Sequence, residues 1–117
     1  MSSLDDLLPL PPATFLVLLA LRGRSLHGYR IKKEVCARSE GRIDLDPGGL
    51  YRLIARLEAR GVVRATDAPS DAPDDDRRRL FYTLTVPGEM LLAAEARRLA
   101  SLVASPDVAT LIDVVST

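Results

Sequence analysis

Apolar positions along this chain fall into helical stripes separated by short alternating runs. Residues 13–22 are nearly all apolar and close at Gly23, which predicts a helix buried on more than one side. Ser25 is a natural N-cap, so a second helix is expected through Arg38, with Ile31 and Val35 four apart on one face. A third opens at Asp46-Pro47, cap then proline, and runs to Arg60 before Gly61. Its Leu50, Leu53, Ile54 and Leu57 fit the i, i+3, i+4, i+7 template. Val62–Thr66 and Leu80–Leu84 read as two short strands, and the polar stretch from Asp67 to Arg79 makes them a hairpin with a mobile tip. Thr85 caps a fourth helix to about Ala104, whose Leu92, Ala96, Leu99 and Val103 form a seam close to a coiled-coil stripe. Ser105-Pro106-Asp107 starts a last helix with Val108, Leu111, Ile112 and Val115 on one face. A helix that short is marginal alone in water, so it is expected to dock. Residues 1–12, with Pro9, Pro11 and Pro12, read as a flexible arm.

Helix, helix, helix, hairpin is the order of a winged helix-turn-helix, in which the third helix enters the major groove and the hairpin flanks it. The expected fold is therefore mainly α with a small β-hairpin: a DNA-binding domain over 13–84 and a dimerisation region over 85–117. A helix turns ~100° per residue. With Leu50, Leu53, Ile54 and Leu57 inward, Gly48, Arg52, Ala55, Arg56 and Ala59 face outward. Small residues let a backbone approach DNA, and Arg52 and Arg56 reach guanine edges or phosphates. Tyr51 on the flank is a candidate phosphate donor. The nearly all-apolar first helix and the seam of the fourth point to a second copy of the chain. Phe15, Leu18, Leu92, Ala96, Leu99 and Val103 are the expected dimer contacts.

Charge first argues against DNA and then for it. The chain has 117 residues, with 16 Lys+Arg against 16 Asp+Glu. From Arg22 to Arg64 there are nine Arg, two Lys and five acids, a net of +6. Ala65 to Asp76 holds five Asp and no base, and Arg77, Arg78 and Arg79 follow. A basic middle is thus hidden by an acidic loop and acidic flanks, and binding depends on local field rather than the total. Lys32 adds a cation on the helix that crosses the backbone in this motif. Composition excludes other classes. Hydrophobic residues make up 47%, which argues against a disordered chain. No apolar run reaches the ~18 residues of a membrane span. One cysteine, Cys36, and one histidine, His27, provide neither a disulfide nor a metal set. No phosphate loop or nucleophile elbow is present. The expectation is a cytoplasmic protein that is not an enzyme and takes no cofactor.

Four segments in order carry a resemblance: Leu26-His27-Gly28-Tyr29-Arg30-Ile31; Pro47-Gly48-Gly49-Leu50-Tyr51-Arg52-Leu53-Ile54-Ala55-Arg56-Leu57-Glu58; Gly61-Val62-Val63; and Asp76 to Thr85 with Gly88. Over roughly residues 13–104 the sequence resembles the PadR family of bacterial transcriptional regulators, in its short branch with a single C-terminal helix. The resemblance implies a DNA-binding homodimer, usually a repressor, joined through its first and C-terminal helices. It implies double-stranded DNA as partner, with an inverted repeat matching a two-fold protein. Pro47, Gly48 and Gly49 at the start of the third helix fall among the implied DNA contacts. The family often has Thr or Ser where Gly49 stands, and its loop before Arg77 is usually shorter. Many members respond to small aromatic molecules at the dimer interface. This chain has no Trp and few aromatics, so no stacking pocket is expected and no effector is named.

Each feature has a plainer reading beside the functional one. Arg77, Arg78 and Arg79 either track phosphates or pair with Asp74, Asp75 and Asp76, and both hold if the acids mask the arginines until DNA competes. His27 is expected to be structural, Gly28 to permit close helix approach, and Cys36 to be a small filler. A winged-helix module that binds protein rather than DNA is the alternative from another class.

Overall fold

The computed structural model describes residues 4–116, with side chains through Val114. The elements are α1 (Pro12–Ala20), β1 (Leu26–His27), α2 (Gly28–Arg38), α3 (Pro47–Ala59), β2 (Val63–Thr66), β3 (Phe81–Leu84), α4 (Val86–Val103) and α5 (Pro106–Ser116). Residues 1–3 of the expected arm and the Val115 side chain of the last helical face lie outside the described residues. Proline stands in the first turn of α1, α3, α4 and α5, where its missing N–H costs nothing. Asp46 caps α3 by accepting from the Gly49 N–H, and Thr85 caps α4 by accepting from the Gly88 N–H. Gly41 and Gly61, at φ 79° and 75°, turn the chain after α2 and α3 in a conformation that costs glycine little.

The second helix begins later than expected. His27, not Ser25, is its N-cap, with Nδ1 accepting from the Arg30 N–H at 3.2 Å. The reason is a strand the hydrophobic pattern did not show. Leu26 and His27 pair with Tyr82 and Phe81, which keeps the backbone extended up to the cap. The sheet thus has three antiparallel strands in the order β1-β3-β2, with Val63 opposite Leu84 and Thr66 opposite Phe81 in the hairpin.

The expected apolar stripes meet in one core. Leu50, Leu53, Ile54 and Leu57 of α3 are buried with Val17 and Leu18 of α1 and Ile31 and Val35 of α2. Leu18 is wholly inaccessible and Leu92 nearly so. Leu18, an expected dimer contact, instead packs within its own chain, because α1 sits against α2 and α4, whereas Leu92 also lines a groove between α1 and α4. Gly88 lets α4 start against β2, since a Cβ there would overlap the Val62 carbonyl oxygen.

The N-terminal arm is not loose from Leu4 onward. Leu4, Leu7 and Leu8 pack against the core and Leu10 is part of it. The Leu10 N–H donates to Glu95 Oε2 at 2.7 Å, and Arg60 pairs with Asp6 at 2.8 Å. The prolines dominate the reading of this segment and hide the leucines interleaved with them. Glu95, a buried carboxylate of α4, also accepts from Arg98, whose guanidinium holds the carboxyl below its usual range. The last helix is mostly undocked, for Leu111 and Ile112 stay exposed and α5 touches its own chain chiefly through α4. Among the described residues no helix is long and apolar enough to cross a membrane.

Candidate nucleic-acid interface

α3 sorts its side chains as a recognition helix must. Its four apolar residues at 50, 53, 54 and 57 are buried, while Gly48, Arg52, Ala55, Arg56 and Ala59 are exposed. Arg52 lies back along the helix, so close that a Cβ on Gly48 would sit 3.2 Å from its Nη1. Gly48 therefore leaves room for the guanidinium as well as for a close partner. Gly49 has a different cause. A Cβ there would lie 2.8 Å from Asp46 Oδ1, and its N–H is already taken by that carboxylate. Any side chain at 49 would require the Asp46 carboxylate to shift.

Tyr51 is half exposed and rests its ring and hydroxyl on Gly28, where any Cβ would lie 2.5 Å from the Tyr51 oxygen. The glycine of α2 and the tyrosine of α3 thus set the spacing of the two helices, as the sequence reading of Gly28 held. Tyr29 is also exposed and carries Lys33 over its ring at 5.5 Å.

The cations expected to meet DNA are not equally available. Lys32 Nζ lies 2.6 Å from Asp44 Oδ1, and that carboxylate raises the lysine above its ordinary range. Arg77 and Arg79 each place Nε 3.1 Å from a carboxylate oxygen, of Asp74 and Asp76 respectively. Among the described residues, no carboxylate lies within ion-pair distance of Arg52, Arg56 or Arg78. Arg77, Arg78 and Arg79 line one side of a cleft of about 410 Å³ at the hairpin tip, with Thr66 and Asp67 opposite.

His27 ties this tip to the helices. Its Nδ1 is spent on the α2 cap, its Nε2 lies 3.5 Å from Asp76 Oδ2, and its ring meets Phe81 edge-on at 5.3 Å. Nδ1 accepts a backbone N–H, which leaves Nε2 as the ring nitrogen that faces Asp76. Sequence reading gave His27 a structural role but missed this link, because no spacing along the chain relates residues 27 and 76. It also left Arg64 unassigned. Arg64 is exposed on β2 opposite Thr83, a position that the alternation of that strand places outward.

The surface away from α3 is apolar. Phe15, Leu19, Val86, Met90, Ala93 and Ala96 line an open groove of about 910 Å³ between α1 and α4. Of the expected dimer contacts, Phe15, Leu92 and Ala96 border this groove, while on α4 Val103 is half exposed and Leu99 half buried. Among the described residues there is no group of His, Cys, Asp or Glu that could hold a metal ion.

Known proteins share this arrangement. The structure is similar to a PadR family transcription regulator from Clostridium difficile, with a TM-score of 0.65 and 21% identity over 79% of this chain and 91% of that one. It is similar to RosR of Halobacterium salinarum, with a TM-score of 0.66 and 20% identity over 95% and 94% of the two chains. A transcriptional regulator from Clostridium thermocellum matches with a TM-score of 0.62 and 20% identity over 77% and 84%. In sequence, the chain is 41% identical over 90 residues to an uncharacterized 37.1 kDa protein in transposon TN4556 of Streptomyces fradiae. That match takes in 77% of this chain but 24% of the relative, so the chain spans about a quarter of that protein's length. The family model described as the transcriptional regulator PadR-like family matches residues 17–94, two thirds of the chain, from the end of α1 through α2, α3 and the hairpin to the first half of α4. The chain belongs to the PadR-like family of transcriptional regulators, and its members regulate transcription rather than catalyse a reaction.

Proposed function

We propose that this regulator is a homodimeric repressor that places α3 in the major groove of an inverted-repeat operator, with the β2–β3 hairpin as the flanking wing. One observation carries the reading. The exposed side of α3 combines small residues with two arginines that have no carboxylate at ion-pair distance among the described residues, while its other side is fully committed to the core. Arg52 and Arg56 are the base-reading cations. Tyr51, Lys32 and the wing cations Arg77, Arg78, Arg79 and Arg64 are the phosphate contacts that set register. The α1–α4 groove and the exposed Val86, Met90, Leu102 and Val103 support the dimer, since a monomer would leave these apolar side chains in water.

The test is a gel shift of the full chain at low salt, against its own upstream DNA and against duplexes selected from a random library. The expected result is a selected site with two-fold symmetry and half-sites one helical turn apart, about 10 base pairs centre to centre. Failure to shift any duplex, together with capture of a protein partner, would favour the protein-binding module instead.

A further inference from the structure

We propose that Asp44, Asp74 and Asp76 are specificity-determining residues: each holds a DNA-facing cation in an own-chain ion pair and yields it only to a phosphate fixed in place by a seated α3. This inference rests on the DNA-binding reading above.

The cations of the proposed interface are not equally held. Of those assigned to phosphate, Lys32, Arg77 and Arg79 are each within 3.1 Å of a carboxylate oxygen, whereas Arg64 and Arg78 have none at ion-pair distance among the described residues. Arg52 and Arg56, assigned to base edges, have no carboxylate at ion-pair distance among the described residues. The acids come from two separate places, the loop between α2 and α3 and the turn of the wing. Asp76 lies beside the helix-turn-helix, with its other oxygen 3.5 Å from His27 Nε2 and its side chain one quarter exposed. His27 itself is fixed as the cap of α2, so the competing carboxylate is referenced to the helix-turn-helix.

Binding to arbitrary DNA draws nearly all its affinity from phosphates, whereas sequence is read at base edges. The pairing therefore subtracts from the part of binding that all duplexes share and spares the part that discriminates. A loosely held duplex offers each cation a phosphate at no fixed distance, and the carboxylate on the same chain wins. Once α3 is seated, the phosphate stands at a fixed position and the exchange is local. An exposed pair of this kind shifts an equilibrium by up to about fivefold.

The double variant Asp74→Asn/Asp76→Asn of the full chain tests this, because the amide keeps an acceptor for arginine and for His27 while removing the charge. Anisotropy titrations use two probes across a salt series: a duplex selected by the wild-type protein and a scrambled duplex of the same composition. The variant is expected to bind the scrambled duplex roughly 2- to 25-fold more tightly. Its salt slope there steepens by up to about two, one for each released arginine. The selected duplex gains a smaller factor, so the ratio between the two falls. Asp44→Asn moves both quantities in the same sense through Lys32. Asp107→Asn on α5 removes the same charge far from the wing and leaves both unchanged. Equal gains on the two duplexes, no gain, or an Asp107→Asn effect of the same size would each overturn the inference. If the wild type binds no duplex at all, the DNA-binding reading falls first.

Discussion

Glu95 shows how one side chain joins distant parts of this molecule. Buried on α4, it accepts from the Leu10 N–H and from Arg98, and so ties the N-terminal segment to α4. Its carboxyl is held below the usual range, first by the Arg98 hydrogen bond and then by the backbone N–H of Leu10, against the opposing effect of burial. A folded pKa below the unfolded one gives stability that is present above about pH 4.3 and is lost as pH falls through the folded value. Glu95→Gln keeps the acceptor for Leu10 but does not titrate. Wild type should therefore melt higher than Glu95→Gln at neutral pH, and the gap should close on acidification. A gap that is independent of pH would contradict this. The same residue marks a limit of sequence reading. Leu10 and Glu95 are 85 positions apart, and no periodicity relates them. His27 and Asp76 are hidden in the same way, whereas Leu50, Leu53, Ile54 and Leu57 are legible because helical spacing alone puts them on one face.

Elements opened by a cap and a proline are legible in the sequence to within a residue or two, because those signals act locally. α3 from Pro47 and α4 from the Thr85 cap are the clear cases. β1 is not, since two residues carry no alternation and owe their extended form to β3. That strand is also why the cap of α2 falls at His27 and not at Ser25. Two predictions belong at this scale. Glycine to alanine inside a helix ordinarily stabilises by about 0.5–1 kcal/mol. Gly88→Ala should do the opposite and lower Tm, because its Cβ meets the Val62 backbone and not a movable side chain. A raised Tm would show that α4 and β2 are less tightly apposed. For the wing, replacing Arg77, Arg78 and Arg79 together by Ala should flatten the salt dependence of binding to the selected duplex. The slope should fall by up to about three, one for each phosphate contact. An unchanged slope places the wing off the DNA.

At the scale of the whole molecule, the total charge of zero conceals a division of labour. The basic segment from Arg22 to Arg64 builds the helix-turn-helix, and the acids gather in the wing loop and at the flanks. The apolar surface divides in the same way. One part closes the chain's own core and the other is left on α4 and α5. The sequence alone does not separate the two: Leu18 carries the same pattern as Phe15 and Ala96, and only the packing of α1 against α2 and α4 tells that it is taken. If the proposed dimer forms through this face, Met90→Asp should sediment as a monomer with little change in helix content, because Met90 is two thirds exposed. Leu18→Ala should instead cost about 2–5 kcal/mol of folding stability, as for any large side chain deleted from a core. Dimers that persist in Met90→Asp would move the interface elsewhere.

The central claim is that the outward face of α3 reads bases. Fluorescence anisotropy of Arg52→Ala and Arg56→Ala, on the selected duplex and on single-base variants of it, tests this most directly. Each substitution should weaken binding by about 1–3 kcal/mol and relax preference at its own base position, with the dimer and Tm unchanged. Binding as tight and as selective as wild type in both variants would contradict the account.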